Sequence, residues 1–378
     1  MKKSLIAFAI FGAFAASASA QTSVTLYGIV DAAVSHKTTQ TASGGTGSLE
    51  SGQLLTSRWG IKGSEDLGGG LKANFNLEGT LFNDTGASGV SFGPGTSAPC
   101  PAGTPCSLAQ NGGATSLFDR LSWVGLSGDF GAVTAGRNNM LNIDALASSD
   151  PMGLAHAPTN PNVALAALNL AGLYGNFGSN GGGTALRQNN SVKYTTPVNS
   201  FGLGGSAMYA FGEQAGNISA NSYKGLSGYF SDGKSVLGAT YGKYQDNVAV
   251  GGSTLTQKGL GMKIVMDAKI TIKGTYAETK VDTTQRKITI FGIGMDYALT
   301  PAMTLTGAYY DSKMSGPVKG LSDQYVAMAK YAFSKRTTAY ASFTHVNAGG
   351  AAGKTLAIGL VGVSDHANRA LVGMLHAF

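Results

Sequence analysis

Between Arg58 and Glu78 the chain alternates polar and apolar residues one for one. In Leu71-Lys72-Ala73-Asn74-Phe75-Asn76-Leu77-Glu78 the polar groups share one parity, and upstream Arg58 and Lys62 stand on the parity opposite Trp59 and Ile61. Successive side chains of a strand point to opposite faces, so each half of this stretch has one oily and one wet face. Ser64-Glu65-Asp66-Leu67-Gly68-Gly69-Gly70 supplies the turn between them. A half-buried sheet in a soluble protein has the same local signature, but here the pattern recurs along the chain. Period-two segments bounded by turn residues fall at 23–35, 53–64, 71–82, 116–127, 131–138, 187–197, 201–212, 223–231, 235–244, 256–266, 269–278, 287–298, 302–311, 323–333, 337–346 and 369–378. This predicts about sixteen strands, an even number that suits a bacterial outer-membrane barrel. The expected fold is all-β: a transmembrane antiparallel β-barrel.

The amino-terminal residues agree with export. Lys2 and Lys3 precede the apolar run Leu5–Ala16, and Ala18-Ser19-Ala20 follows. A basic end, a short apolar run and a small-residue cleavage site read as a signal peptide over 1–20, leaving one domain, 21–378. No later segment has the roughly 20 consecutive apolar residues of a helical membrane span. Glycine takes 56 of 378 positions while only 12% of residues are charged, as suits a wall facing lipid on one side. Without Lys2 and Lys3 the basic excess is five. That balance hints at anions, but no basic stripe with interleaved aromatics points to nucleic acid.

The connections alternate in length. Short turns at 127–131, 198–200, 232–234, 300–301 and 334–336 alternate with long polar ones, as in barrels with short periplasmic turns and long outer loops. The final segment, Val372 to Phe378, reads as a strand closing the barrel, with Phe378 in an interfacial aromatic girdle. Tyr27, Trp59, Phe75, Trp123, Tyr209 and Phe211 are further girdle candidates. From 138 to 186 no strand pattern appears, yet Leu141, Ile143, Leu146, Met152 and Leu154 make that stretch too apolar for a freely solvated loop. Folding into the lumen would bury them and narrow it. Cys100 and Cys106, an even pair in an exported chain, read first as a loop-closing disulfide. No histidine lies near them to complete a metal site.

Catalytic motifs are absent. The five histidines are scattered, there is no H-E-x-x-H and no G-x-S-x-G elbow, and the glycine runs lack the context of a phosphate cradle. The sequence therefore implies no enzyme, no metal and no cofactor. Polar parity says more. Lys62, Lys72, Asn74, Glu78 and Lys193 fall on water-facing parities and read as pore wall. Arg58, Arg120 and Arg187 could converge in mid-lumen, where fixed guanidinium charge favours anion passage.

Ser57-Arg58-Trp59-Gly60-Ile61-Lys62-Gly63-Ser64-Glu65-Asp66-Leu67-Gly68-Gly69-Gly70-Leu71-Lys72-Ala73 closely resembles the signature of the general porins of β-proteobacteria. Ser23–Asp31, Val124–Gly131 with Gly136-Arg137, Ser334–Thr337 and His376-Ala377-Phe378 match as well. The resemblance implies a homotrimer of sixteen-stranded barrels in the outer membrane, each with its long third loop folded inside. It implies a general diffusion channel for small hydrophilic solutes and ions. Its partners would be outer-membrane lipid, lipopolysaccharide and the barrel-assembly machinery, the last through the strand ending in Phe378. By position Arg58, Arg120 and Arg187 match the family's arginine cluster, with Arg137 at the base of the constriction loop. Parity sets Arg137 with Val133 and Ala135, so the strand must break before it. Asp144 and Asp150 are the candidate loop acids. Leu375 stands where the family often has arginine, and Asp119 where some anion-selective relatives have lysine. Both departures weaken the expected anion preference.

Overall fold

A computed structural model describes residues 23–41, 44–88, 116–154, 159, 186–213, 215–245, 254–357 and 360–378. The strands are β1 (Ser23–Thr41), β2 (Gly44–Ser51), β3 (Arg58–Gly68), β4 (Leu71–Phe82), the two-residue β5 (Ala87–Ser88), β6 (Leu121–Gly128), β7 (Gly131–Asn139), β8 (Arg187–Thr195) and β9 (Leu203–Ala210). They continue with β10 (Tyr223–Ser231), β11 (Val236–Gln245), β12 (Thr254–Val265), β13 (Ile270–Val281), β14 (Lys287–Ala298), β15 (Met303–Ser315), β16 (Gly320–Ala332), β17 (Thr337–Gly349) and β18 (His366–Ala377). Neighbours pair antiparallel throughout, and β1 pairs with β18 on one side and with β2 and β3 on the other. The sheet therefore closes. β2 and β3 share one position in the ring and β5 pairs only with β4, so the barrel has sixteen strands.

Closure leaves an outer face that carries the exposed apolar residues, among them Val124, Leu226, Leu237, Leu260 and Phe343. Phe378 stands with them, its backbone exchanging hydrogen bonds with Gly28 at 3.1 and 3.0 Å. Two girdle expectations are corrected by register. Tyr27 points inward, its hydroxyl donating to Asn76 and Glu78, and Trp123 pairs with Asn76 and so shares that inner face. An aromatic ring at a strand position has no parity of its own, and the neighbours that fix it lie on other strands.

The second expected strand, 53–64, is also redrawn. The ladder there begins at Arg58, and the missing half is β2, which pairs with β1 from Ala32 upward. Thr38–Thr41 and Gly44–Ser48 are mostly polar and small, so they give no alternation to read. Residues 52–57 leave the ladder and are held by Asp31. The Asp31 carboxylate accepts the amides of Leu54 and Leu55 at 2.6 and 2.8 Å and the Tyr340 hydroxyl. Ser57 Oγ accepts from the Asp31 amide and donates to its carbonyl. A carboxylate so buried is stable only because each of its oxygens meets a donor. Likewise 116–120 is loop, not strand. Asp119 there takes the Thr80 amide and hydroxyl, both at 2.7 Å, in place of a ladder partner.

After β7 the chain turns onto the inner wall. A short helix, α1 (Leu141–Leu146), packs on β9 to β12 with Met140, Leu141 and Leu146 fully buried. Its seat lies on the face opposite the exposed Leu226, Leu237 and Leu260. Glycines make the seat. A Cβ at Gly238 or Gly261 would come within 2.6 or 2.7 Å of the Ala145 carbonyl oxygen. Replacing Gly238 by valine should therefore dislodge α1 and cost about 1–3 kcal/mol, as overpacking does. Ala239→Val, on the lipid face next door, is the control. Equal thermal midpoints for the two variants in detergent would exclude the seat.

Candidate pore constriction

One arc of the inner wall gathers most of the predicted residues. Arg58 opens β3, and its Nε donates to the Thr56 carbonyl at 2.9 Å. Glu78, opposite Gly60 on β4, accepts from Arg120 Nε at 2.6 Å and from the Tyr27 hydroxyl at 3.0 Å. Arg120 is buried although it precedes its strand. Its amide bonds the Glu78 carbonyl at 3.0 Å, so main chain and side chain fix it together. Arg187, at the start of β8, lies within Coulombic reach of Arg120, Glu78, Arg137 and Arg58. Its buried Nε has no hydrogen-bond partner among the described residues. Three arginines thus crowd around one carboxylate.

Arg137 has a different place. The β7–β8 register shifts between Gly136 and Asn138, and Gly136 has a φ of +130°, which a residue with a Cβ rarely adopts. The expected break before Arg137 is not found: β7 runs on to Asn139 with Arg137 opposite Ser122, and the extra residue of the shift lies on β8. Arg137 donates to the Asp119 carbonyl at 2.6 Å and to Asn189. Arg137 ties the foot of the loop to the wall.

The two candidate loop acids do not stand free in the lumen. Asp144, on α1, forms an ion pair with Lys193 of β8. Asp150 is wholly buried, accepting the Met152 and Leu154 amides at 2.9 and 3.1 Å, the Tyr310 hydroxyl at 3.0 Å and the Thr159 hydroxyl. It pins the loop to β15. Of the remaining wall residues, Lys62 stands 5.2 Å from the Tyr27 ring centre and Asn74 donates to Ser127 Oγ at 2.9 Å. Lys72 is exposed near the turn. Cys100 and Cys106 lie outside the described residues.

Sequence reasoning missed Arg369. It is buried on the inner face of β18 and donates to Gln53 Oε1 at 3.1 Å. Counting in twos from the exposed Val372 and Met374 gives its orientation, but its inner-face neighbours Leu371 and Leu375 hide the signal. Among the described residues no group of His, Cys, Asp and Glu could hold a metal ion.

The barrel fold has known counterparts. The sequence profile of the Gram-negative porins matches residues 5–351. The chain belongs to the Gram-negative porin family. It is 36% identical over 254 residues to outer membrane porin protein 32 of Delftia acidovorans, covering 67% of this chain and 62% of that protein. To an outer membrane porin of Bordetella pertussis it is 32% identical over 221 residues, covering 54% and 48%. It thus spans less than two thirds of these curated relatives. The anion-selective porin from Comamonas acidovorans superposes with a TM-score of 0.74 at 24% identity, covering 95% of this porin and all of that chain. These relatives are outer-membrane channel proteins rather than enzymes, and the outer membrane is where this barrel belongs.

Burial pushes the Asp150 carboxyl above the usual carboxylate range, against the lowering effect of its hydrogen bonds. The folded porin therefore holds that proton more readily than the unfolded chain. The resulting stability is fully present below the ordinary value of 3.8 and is lost as pH rises through the folded value. The midpoint of the native protein relative to Asp150→Asn should fall from acid to neutral pH in thermal unfolding. A difference that stays flat with pH would contradict this assignment.

Proposed function

We propose that this porin is a general diffusion channel, a passive water-filled path for small hydrophilic solutes and ions with a weak-to-moderate anion preference. It works without catalysis or cofactor. Arg58, Arg120 and Arg187 set the field, Arg137 holds the loop foot, and the loop over 139–186 sets the size limit. The chain is exported by a signal peptide at 1–20, inserted through its final strand by the assembly machinery, and functions as a homotrimer among lipid and lipopolysaccharide.

The observation that carries the anion preference is the unequal use of charge. Arg58 and Arg187 have no ion-pair partner among the described residues, and Glu78 answers Arg120 alone at ion-pair distance. Both described loop acids are spent, Asp144 on Lys193 and Asp150 on the Tyr310 anchor. Fixed cationic charge in a narrow lumen raises local anion concentration and opposes cations. The anion-selective relative of similar fold supports the same reading. Loss of the cationic field would leave a weakly selective pore.

Replacing Arg58 and Arg187 together by glutamine should shift the reversal potential in planar bilayers toward cations. The expected change is a several-fold fall in the anion-to-cation permeability ratio, with conductance retained. An unchanged potential would sink the arginine reading. A substrate-specific channel would instead show current that saturates with one solute, where the general porin conducts in proportion to salt.

A further inference from the structure

Where the inward loop reaches β16 to β18, an enclosed cavity lies against the inner wall. Gln53, Met152, Gln324, Ser342, Thr344 and Arg369 line it, and the rest of its wall is apolar. None of Arg58, Arg120, Arg137 and Arg187 borders it. Register builds the site, since Thr344 lies directly opposite Arg369 on one side and Val326 on the other. Gln53 arrives from the segment 52–57 that Asp31 holds off the ladder. Met152 arrives from the loop stretch that Asp150 pins to β15. The hollow has room for about one water-sized particle.

The charge there is unanswered. Arg369 is only 6% exposed, and a guanidinium keeps its proton at any ordinary pH. Its hydrogen bond goes to a neutral amide, Gln53 Oε1, and its buried Nε has no partner among the described residues. Gln324, 2% exposed, has an unpartnered Oε1 as well. Among the described residues no acid lines the cavity. Glu50 acts on Arg369 from beyond ion-pair distance, but it is spent on Lys37 at 2.6 Å. Arg120, by contrast, is answered directly by Glu78. A buried charge is tolerated when it is both paired and hydrogen-bonded, and a neutral amide supplies only the second.

We propose that this cavity binds one chloride ion, held by the Arg369 guanidinium and by the amide and hydroxyl groups of its wall. A water molecule would satisfy the Nε donor but leave the charge unpaired, whereas chloride does both. The size of the hollow excludes carboxylates, phosphate and sulfate, each larger than a single water. Gln324 can turn its NH2 toward the ion, and the hydroxyls of Ser342 and Thr344 can rotate to donate. Bound there, the ion joins the loop, the segment 52–57 and the last strands around one charge. Its role is structural, and it does not rest on the channel reading.

The test crystallises the intact porin from bromide in place of chloride, because bromide scatters anomalously and is thereby told from water. Native crystals should show an anomalous peak in the cavity beside Arg369 and Thr344, and crystals of Arg369→Gln should lose it. Peaks confined to the lumen arginines, or cavity density without anomalous signal, overturn the proposal, and this arm needs no variant to fold. In detergent solution the native thermal midpoint should be higher in chloride or bromide than in equimolar gluconate, an anion too large to enter. That difference should vanish in Arg369→Gln and persist in Lys224→Gln, on the exposed face of β10. Equal native midpoints in the three salts, or a halide effect that survives Arg369→Gln, count against the site. Reversal potentials test the channel reading separately, because the bromide signal comes from the enclosed cavity and not from the open lumen.

Discussion

In hydrocarbon no water replaces a missing hydrogen bond, so every strand of this sheet must have two partners. That requirement is met at one place above all, where β1 pairs with β18 from Ile29 to Lys37 and with β2 and β3 on its other edge. Everything else follows from closure. It divides each strand into a face that sees lipid and a face that sees the lumen. It also makes parity an absolute direction: once Leu226 and Leu260 are outside, Tyr223 and Gly261 can only be inside. The register across neighbouring strands then carries that assignment around the ring without further assumptions.

Closure also creates a hollow, and the chain fills part of it with its own loop. Such a loop must bury backbone polar groups against a wall that has already paired its own. The porin answers with small residues and side-chain anchors. Gly238 and Gly261 let the Ala145 carbonyl lie against the strands, and Asp150 gathers two amides and three hydroxyls between the loop, β13 and β15. On β1 Asp31 does the same for residues 52–57. In both places a buried carboxylate serves as the common acceptor for donors from a segment that has left the ladder. The acids expected to be electrostatic elements of the pore are therefore partly structural ones.

The division between what the sequence revealed and what it hid follows the same physics. Strands crossing the apolar band were legible because lipid on one side and water on the other force alternation, as in 71–82 and 287–298. β2 was not legible because it rises beyond that band, where both faces are wet and no pattern is imposed. Tyr27 and Trp123 were misplaced because an aromatic ring suits an interface or a wall equally well, and only pairing to Asn76 decides. Parity and the family resemblance along the chain pointed to Arg58, Arg120 and Arg187, but no local pattern could reveal that Asp144 reaches Lys193 on β8. Residues brought together by loop folding leave no periodic trace. Arg369 was a different failure, since its inner-face neighbours Leu371 and Leu375 are apolar and mimic a lipid-facing run.

The two departures that seemed to weaken anion preference look different in three dimensions. Asp119, adjacent to Arg120, is buried and engaged by both donors of Thr80 while its carbonyl holds Arg137. Its charge supports the position of the arginine wall rather than opposing it in the open lumen. Leu375 removes a cation from the final strand, but Arg369 places another six residues earlier on the same inner face, tied to Gln53. What remains is an arc in which cationic groups outnumber the carboxylates that answer them, next to a loop whose described acids are already committed. Selectivity in such a pore depends less on how many charges line it than on which have been neutralised by folding. On the proposed anion preference, the native salt bridges, Asp144 with Lys193 and Glu78 with Arg120, are where that choice is made.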